Sequence, residues 1–263
     1  MINYEVYLRR KNSQIPKINT EIFEKGEDIP LNEVLRIEDK NQLLKDGYLN
    51  CENGFFHFED NSAYAAILTK MPNVSIEMID WWFWWHAKES LRYKIWYPEM
   101  HFDISSDFGE HYNDESKTYR ERLYISKHFV TENIGTGKEK IVINFMSPEE
   151  FGFDVSQLKD ENKETIICAI VGDLKKRVWH TKMCHVVRKV EEGVEMRSRF
   201  WMATKVKRMD VFGERFLNSI LNKSFIKKTL LPKDLGKYMF HHCSQEYNNL
   251  GDILPEIYIN EKV

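Results

Sequence analysis

Hydrophobic positions along the chain fall into two regimes. Between about residues 120 and 206 they alternate with polar ones or form short apolar blocks. These are Leu123-Tyr124-Ile125, Ile141-Val142-Ile143-Asn144-Phe145 and Thr165-Ile166-Ile167-Cys168-Ala169-Ile170-Val171. Such runs, bounded by turn residues, predict strands. Val171-Gly172-Asp173-Leu174-Lys175-Lys176 reads as a hairpin loop leading into Val178-Trp179-His180. Glu191-Glu192-Gly193 joins Cys184-His185-Val186-Val187 to Arg197-Ser198-Arg199-Phe200-Trp201 in the same way. The pattern is that of an antiparallel meander. Elsewhere the period lengthens, predicting helices over 75–94, 208–222 and 233–250. In the first of these, Ile79, Trp82 and His86 share a stripe. The run Trp81-Trp82-Phe83-Trp84-Trp85 is apolar nearly all round, which argues for a helix buried on most faces. Its tryptophans read as core, cavity wall or an interface able to support a homodimer, and His86 as a buried, satisfied histidine. Residues 1–70 are polar and irregular, punctuated by Pro16, Gly26 and Pro30, and read as an appendage to a main domain over 71–263. Strands followed by a terminal helix predict an α+β domain, the helix packed on one face of a curved sheet. The groove between them is where a small ligand would fit.

Bulk properties narrow the function without choosing it. A chain of 263 residues can bury a sizeable core, and its net charge of −3 leaves no electrostatic footprint for nucleic acid. The clusters Lys205-Val206-Lys207-Arg208 and Lys227-Lys228 read as solvated faces. Met1-Ile2-Asn3-Tyr4-Glu5 lacks the basic start and apolar run of a signal peptide, and no apolar stretch approaches the ~20 residues of a membrane span. Cys51, Cys168, Cys184 and Cys243 are scattered, without a Cys-x-x-Cys pair, as expected of reduced thiols in a cytoplasmic protein.

The candidate chemistry sits in His241-His242-Cys243-Ser244-Gln245-Glu246. His242 and Glu246 stand four residues apart and share one helix face, so an imidazole nitrogen and a carboxylate oxygen can converge on one cation. Zinc accepts both ligand types. His241 lies ~140° around the helix from Glu246, and Cys243 points ~100° away from His242, so neither fits the pair. Two ligands do not make a site, and a further one must come from elsewhere. The candidates are His101, after the Trp96-x-Pro98 turn, and Glu132, which shares a strand face with His128 and Val130. A carboxylate on a face turned to the groove needs a cation or a strong donor.

Several segments, taken in order, are similar to the diacetylphloroglucinol hydrolase and phloretin hydrolase family. They are Met78-Ile79-Asp80-Trp81-Trp82-Phe83-Trp84-Trp85-His86 leading into Tyr93-x2-Trp96-x-Pro98-x2-His101, then Thr131-Glu132-Asn133-Ile134-Gly135 and Pro148-Glu149-Glu150-Phe151-Gly152-Phe153. His185-Val186-Val187-Arg188, Arg197-Ser198-Arg199-Phe200-Trp201 and His242-x3-Glu246 complete the set, over roughly residues 70 to 250. The resemblance implies a START-like (Bet v-type) helix-grip fold and a zinc enzyme that hydrolyses the carbon–carbon bond between an acyl group and a phloroglucinol-type ring. Its metal ligands would be His101, Glu132, His242 and Glu246. Its catalytic groups would include Glu132, His185 as proton carrier and Tyr93 as hydrogen-bond donor to the substrate, a small aromatic acylphenol. Zinc would activate water for attack on the ketone carbon, and protonation of the ring would release arene and acid. His180, five residues from His185, would face away on a regular strand. Two departures bear on the substrate: Asp103-Ile104 stands where the family has an asparagine, and no second tyrosine lies near Phe200-Trp201. Two other readings remain open, a noncatalytic carrier of an aromatic ligand and a zinc hydrolase of esters or amides.

Overall fold

The computed structural model describes residues 3–158, 160, 163–209 and 214–262. The alternating segments form strands, β1 (Gly54–His57), β2 (Ala63–Pro72), β3 (His101–Asp107), β4 (Lys127–Asn133), β5 (Lys138–Met146), β6 (Glu164–Asp173), β7 (Val178–Val190) and β8 (Gly193–Arg208). They make one sheet in the order β1-β2-β8-β7-β6-β5-β4-β3. The expected meander is its β4-to-β8 part, and β3 extends it by one strand at the edge. β2 comes back to pair with β8 from Ala63↔Met202 to Pro72↔Gly193. The closing helix Leu235–Lys262 lies against β1 and β2. The molecule is therefore α+β, with a curved antiparallel sheet gripping a C-terminal helix.

Alternation along the strands sorts residues into two interiors. On β7, Met183 and Val187 turn inward to the tryptophan helix and the closing helix, while Cys184 and Val186 turn outward to Leu35, Leu43 and Phe151. On β8, Phe200 faces inward and Trp201 outward, donating its indole N–H to the Leu35 carbonyl at 2.8 Å. Residues 12–19 bind the outer side of the closing helix. Gln245 donates to the Ser13 carbonyl at 2.7 Å, and the Ser13 amide donates to Asn249 Oδ1 at 2.8 Å. That cover explains why the helix is buried on faces that its periodicity would leave wet. Gly236 permits the close approach at its start: a Cβ there would stand 3.1 Å from the Tyr64 carbonyl oxygen. The boundary expected at residue 70 falls inside β2, so residues 54–72 are part of the sheet.

Local expectations differ from the structure in four places. The helix expected over 75–94 is two, Ile76–Trp85 and Ser90–Lys94, separated at Glu89, whose backbone is extended. The Ser75 hydroxyl caps the first by accepting from the Met78 amide. Leu123-Tyr124-Ile125 is not a strand. Thr118 and Glu121 form a reciprocal capping box that starts the helix Tyr119–Leu123, and Ile125 has a φ of 69°. The closing helix runs past the expected end at 250, through Gly251 and Pro255. Pro255 forfeits one backbone hydrogen bond, but Ile253, Leu254 and Ile257 are buried, and Trp81 packs edge-on to Tyr258 at 5.1 Å. In the 208–222 segment, β8 continues to Arg208 and a helix spans Glu214–Leu221. Residues 210–213 lie outside the described residues. Trp81, Trp82 and Trp85 are all buried within the chain, and Trp84 is covered by the Lys88 ammonium at 3.4 Å from its ring. The tryptophan run is thus core and wall rather than a free face.

Candidate metal centre

The four expected ligands come from three elements. His101 opens β3 and is the register partner of Glu132 on β4, which puts the two side chains on one face of the sheet. His242 and Glu246 project from successive turns of the closing helix. The Tyr93–Trp96 turn fastens one pair to the other: Trp96 Nε1 donates to the Glu246 carbonyl at 2.8 Å, and Asn249 Nδ2 donates to the Trp96 carbonyl at 3.2 Å. One donor atom from each of His101, Glu132 and His242 lies within 4.8 Å of the other two. Glu246 Oε2 stands 3.5 Å from His101 Nε2 and 3.6 Å from His242 Nε2. Donors of a tetrahedral zinc with bonds of ~2.0–2.1 Å are about 3.4 Å apart, so the spacing fits a small dication.

Electrostatics favours the same conclusion. Burial, reinforced by His242, holds the His101 imidazole well below its usual pKa, and burial lowers His242 to about 3, so both rings are neutral. The His101 Nδ1 hydrogen goes to the Tyr93 carbonyl at 3.3 Å, leaving Nε2 as a lone pair, and that atom is enclosed without a hydrogen-bond partner among the described residues. Burial pushes the Glu132 carboxyl up to about 7, although Tyr93 opposes this by donating its hydroxyl to Oε2 at 2.5 Å. Burial, then the neighbouring Glu132, raises Glu246 well above the carboxylate range. Two carboxylates and two imidazole nitrogens, costly to enclose alone, are a donor set that a divalent cation would neutralise and satisfy.

The cavity beyond these donors is walled mainly by apolar side chains such as Ile141, Ile143, Phe145, Met183 and Met202. His185 lines it as expected, buried, with burial lowering its pKa to about 3. Both ring nitrogens are engaged, Nδ1 with Ser198 Oγ at 2.8 Å and Nε2 with Tyr247 Oη at 2.9 Å. Tyr93 also lines the cavity, but its hydroxyl hydrogen is directed to Glu132 rather than left free for a ligand.

Four results depart from the sequence reading. His180 lines the same cavity as His185. The β7–β8 register jumps from Trp179↔Lys207 to Thr181↔Met202, so this irregularity breaks the parity of a regular strand. Asp103 is exposed and bonds Ser90, outside the cavity, because the β3–β4 register also shifts between His101 and Asp103. Tyr247, which sequence reasoning missed, supplies a buried phenol from the helix, across from Phe200. Its position directly after Glu246 was the available signal, obscured because neighbours on a helix diverge by ~100°. Glu139, the register partner of Glu132, is a further missed carboxyl on the wall, raised by burial.

Fold and donor set together define a helix-grip protein with a buried centre of two histidines and two glutamates at the side of an aromatic cavity. Residues 35–259 match the DAPG hydrolase PhiG domain, and the chain belongs to that family. It is 30% identical to phloretin hydrolase of Eubacterium ramulus, over 99% of this chain and 91% of that protein. It is 26% identical to 2,4-diacetylphloroglucinol hydrolase of Pseudomonas protegens, over 84% of this chain and 72% of that one. The chain is accordingly a hydrolase, which sets aside the noncatalytic carrier. Among the described residues, no helix is long and apolar enough to cross a membrane.

Proposed function

We propose that this protein is a zinc-dependent hydrolase that cleaves the carbon–carbon bond between an acyl group and a phenolic ring, giving a carboxylic acid and the arene. The observation that carries the reading is the convergence of His101, Glu132, His242 and Glu246 on one side of a mostly apolar, aromatic cavity. Two imidazoles and two carboxylates suit zinc better than hard cations that take oxygen alone. When bound, the dication supplies Lewis acidity, polarising a ketone and making water more acidic, moderated here by two negative ligands.

The chain's own residues do the rest. Tyr93 stacks on His101 at 4.1 Å between ring centres and holds Glu132 by its hydroxyl, so one side chain orients two donors. The apolar wall excludes bulk water and accepts the hydrocarbon part of the substrate. His185 is the proton carrier to the ring carbon. Burial keeps it neutral at rest, so it takes the proton given up by the attacking water and passes it to the ring carbon as the bond to the acyl carbon breaks. Hydroxyls on the ring favour a keto tautomer, which places the acyl group on an sp³ carbon and makes the departing carbanion equivalent easier to protonate. Phloretin, named in the relative of 30% identity, is the first substrate to try.

The test is metal analysis of purified protein, then incubation with phloretin and simpler acylphenols, following arene and acid. One zinc per chain and equimolar products are expected. Full turnover after complete chelation would remove the metal from the reading, and cleavage of aryl esters without cleavage of ketones would move it to ester hydrolysis.

A further inference from the structure

Beyond the metal donors, the cavity wall holds a pair of neighbouring histidines that the proposed reaction does not use. His86 and His128 both line the cavity, and both are buried. Their rings stand 5.4 Å apart at 84°. His86 donates its Nδ1 hydrogen to the Trp82 carbonyl at 2.7 Å, as a helix-end histidine held by the preceding turn. That bond fixes the tautomer and leaves Nε2 as an acceptor, with no protein donor to it among the described residues. His128 Nε2 is enclosed and has no hydrogen-bond partner among the described residues. An enclosed ring nitrogen left unmet, as at His128, costs roughly 1–3 kcal/mol, and with the acceptor of His86 beside it on the cavity wall this points to a polar group brought in by the ligand.

The surroundings say which polar group. Burial lowers the pKa of His86 to about 4 and that of His128 well below its usual value, so both stay neutral and neither attracts a carboxylate. His128 lies 4.6 Å from the Phe145 ring, and His86 stacks on Trp82 at 5.5 Å, which makes this end of the cavity a slot for a flat ring. Tyr93 ties the slot to the metal donors, its ring standing 4.1 Å from His101 and 6.1 Å from His86. A ring whose acyl oxygen sits at the metal donors therefore presents its far edge to the two histidines. A neutral acceptor beside a flat apolar slot matches a phenolic hydroxyl, which is a better donor than water and leaves no charge buried.

We propose that His86 and His128 form a specificity site that hydrogen-bonds the ring hydroxyl para to the acyl group. The inference rests on the acylphenol reading and adds to it the number and position of hydroxyls that the enzyme requires. Its test uses binding rather than turnover. Alkylphenols, in which a methylene replaces the carbonyl so that nothing is cleaved, are titrated into the metal-loaded protein by calorimetry. One bears hydroxyls at both ortho positions and at the para position, and the other lacks the para hydroxyl. The wild type should prefer the first by roughly 5- to 150-fold, the range expected for one buried group left unmet. His128→Phe and His86→Phe should bring the ratio close to one with metal content unchanged, and His128→Gln, which keeps a hydrogen-bonding side chain, should recover part of it. Equal wild-type affinities would overturn the proposal, showing that the two nitrogens are met by water alone. That measurement needs no variant, so it decides the matter even if a substitution unfolds the protein. A para preference without cleavage of any acylphenol would keep the specificity site and reject the proposed reaction. Cleavage of acylphenols by a protein that binds the two alkylphenols equally would do the reverse.

Discussion

Consecutive residues of β8 point into two interiors that treat buried polar groups in opposite ways. Arg197 and Arg199, on the outer face, are both closed off from solvent, yet Glu52 bridges them, with Oε1 2.5 Å from Arg197 Nη2 and Oε2 2.6 Å from Arg199 Nη2. Arg197 Nη1 also donates to the Leu43 carbonyl at 2.8 Å. Burial pulls the Glu52 carboxyl upward, but the two guanidiniums together hold it below the carboxylate range. Charge meets charge, and the segment carrying Leu43 and Glu52 is fastened to the sheet. The inner face lies one residue away. There, Glu132 and Glu246 share a region with no cationic side chain as their partner among the described residues, and the nitrogens His101 Nε2 and His128 Nε2 meet no donor among those residues either. The outer carboxylate finds its counter-charges within the chain. The inner carboxyls and these two nitrogens do not, which leaves them open to a cation or a substrate at a cost borne by the fold.

The sharpest way to break the comparison is to remove an inner donor. Glu246→Gln should lose bound metal and depress turnover roughly 10⁴-fold or more, since Lewis acidity contributes several kcal/mol at such a centre. The metal-free variant should melt no lower than the metal-free wild type, because one buried carboxylate without a counter-charge has gone. Cys243→Ser, on another face of the same helix, should keep its metal. Elemental analysis with paired melting curves decides, and equal metal content in the two variants would mean that the wrong helix face had been chosen.

His185→Ala probes an inner residue whose nitrogens are met by Ser198 and Tyr247 rather than left open. Zinc should remain, and turnover should fall roughly 10²–10⁴-fold, the range of general acid–base catalysis. Asparagine at this position should recover little, since it cannot exchange a proton near neutral pH. Near-normal turnover in zinc-loaded protein would take His185 out of the mechanism.

The outer face should answer in the opposite currency. Glu52→Gln leaves two enclosed guanidiniums without a counter-charge and should destabilise the fold by about 3–5 kcal/mol. Metal bound per folded chain should stay at one. Denaturant titration and metal content, read together, separate this outcome from damage to the centre.

How far the chain could be read before its structure depended on the range of each interaction. His242 and Glu246 were legible because four residues on a helix is a local spacing, and the meander was legible because a period of two is local as well. The Arg197-Ser198-Arg199 motif was visible, but its use was not, since Glu52 joins it from far along the chain. The pairing of His101 with Glu132 follows from a β3–β4 register set by tertiary packing. Register shifts after His101 and around His180 leave no composition signal, which is why Asp103 turned out to be exposed and His180 to line the cavity. The closing helix ran past Gly251 because burial of Ile253, Leu254 and Ile257 outweighs two weak helix formers.

The smallest effect should come from the residue that stands between the two kinds of buried group. Tyr93 is paired like an outer-face residue, its hydroxyl given to Glu132, yet its partner is a candidate ligand. Tyr93→Phe keeps the ring that stacks on His101 at 4.1 Å with an interplanar angle of 1°, and removes only the oxygen. Folding should be nearly unchanged. Glu132 would lose the hydrogen bond that orients it, and metal affinity should weaken roughly 10- to 100-fold, the usual result of deleting a group behind a ligand. Turnover at saturating zinc should then recover much of its wild-type value. The measurement is a competition titration against a chelator, followed by kinetics across zinc concentrations. If excess zinc restores nothing, the Tyr93 hydroxyl acts on the substrate instead of on Glu132, and its bond to Glu132 is exchanged when substrate binds. Unchanged affinity and unchanged turnover would make the 2.5 Å contact a packing detail and move Tyr93 to the structural side of the comparison.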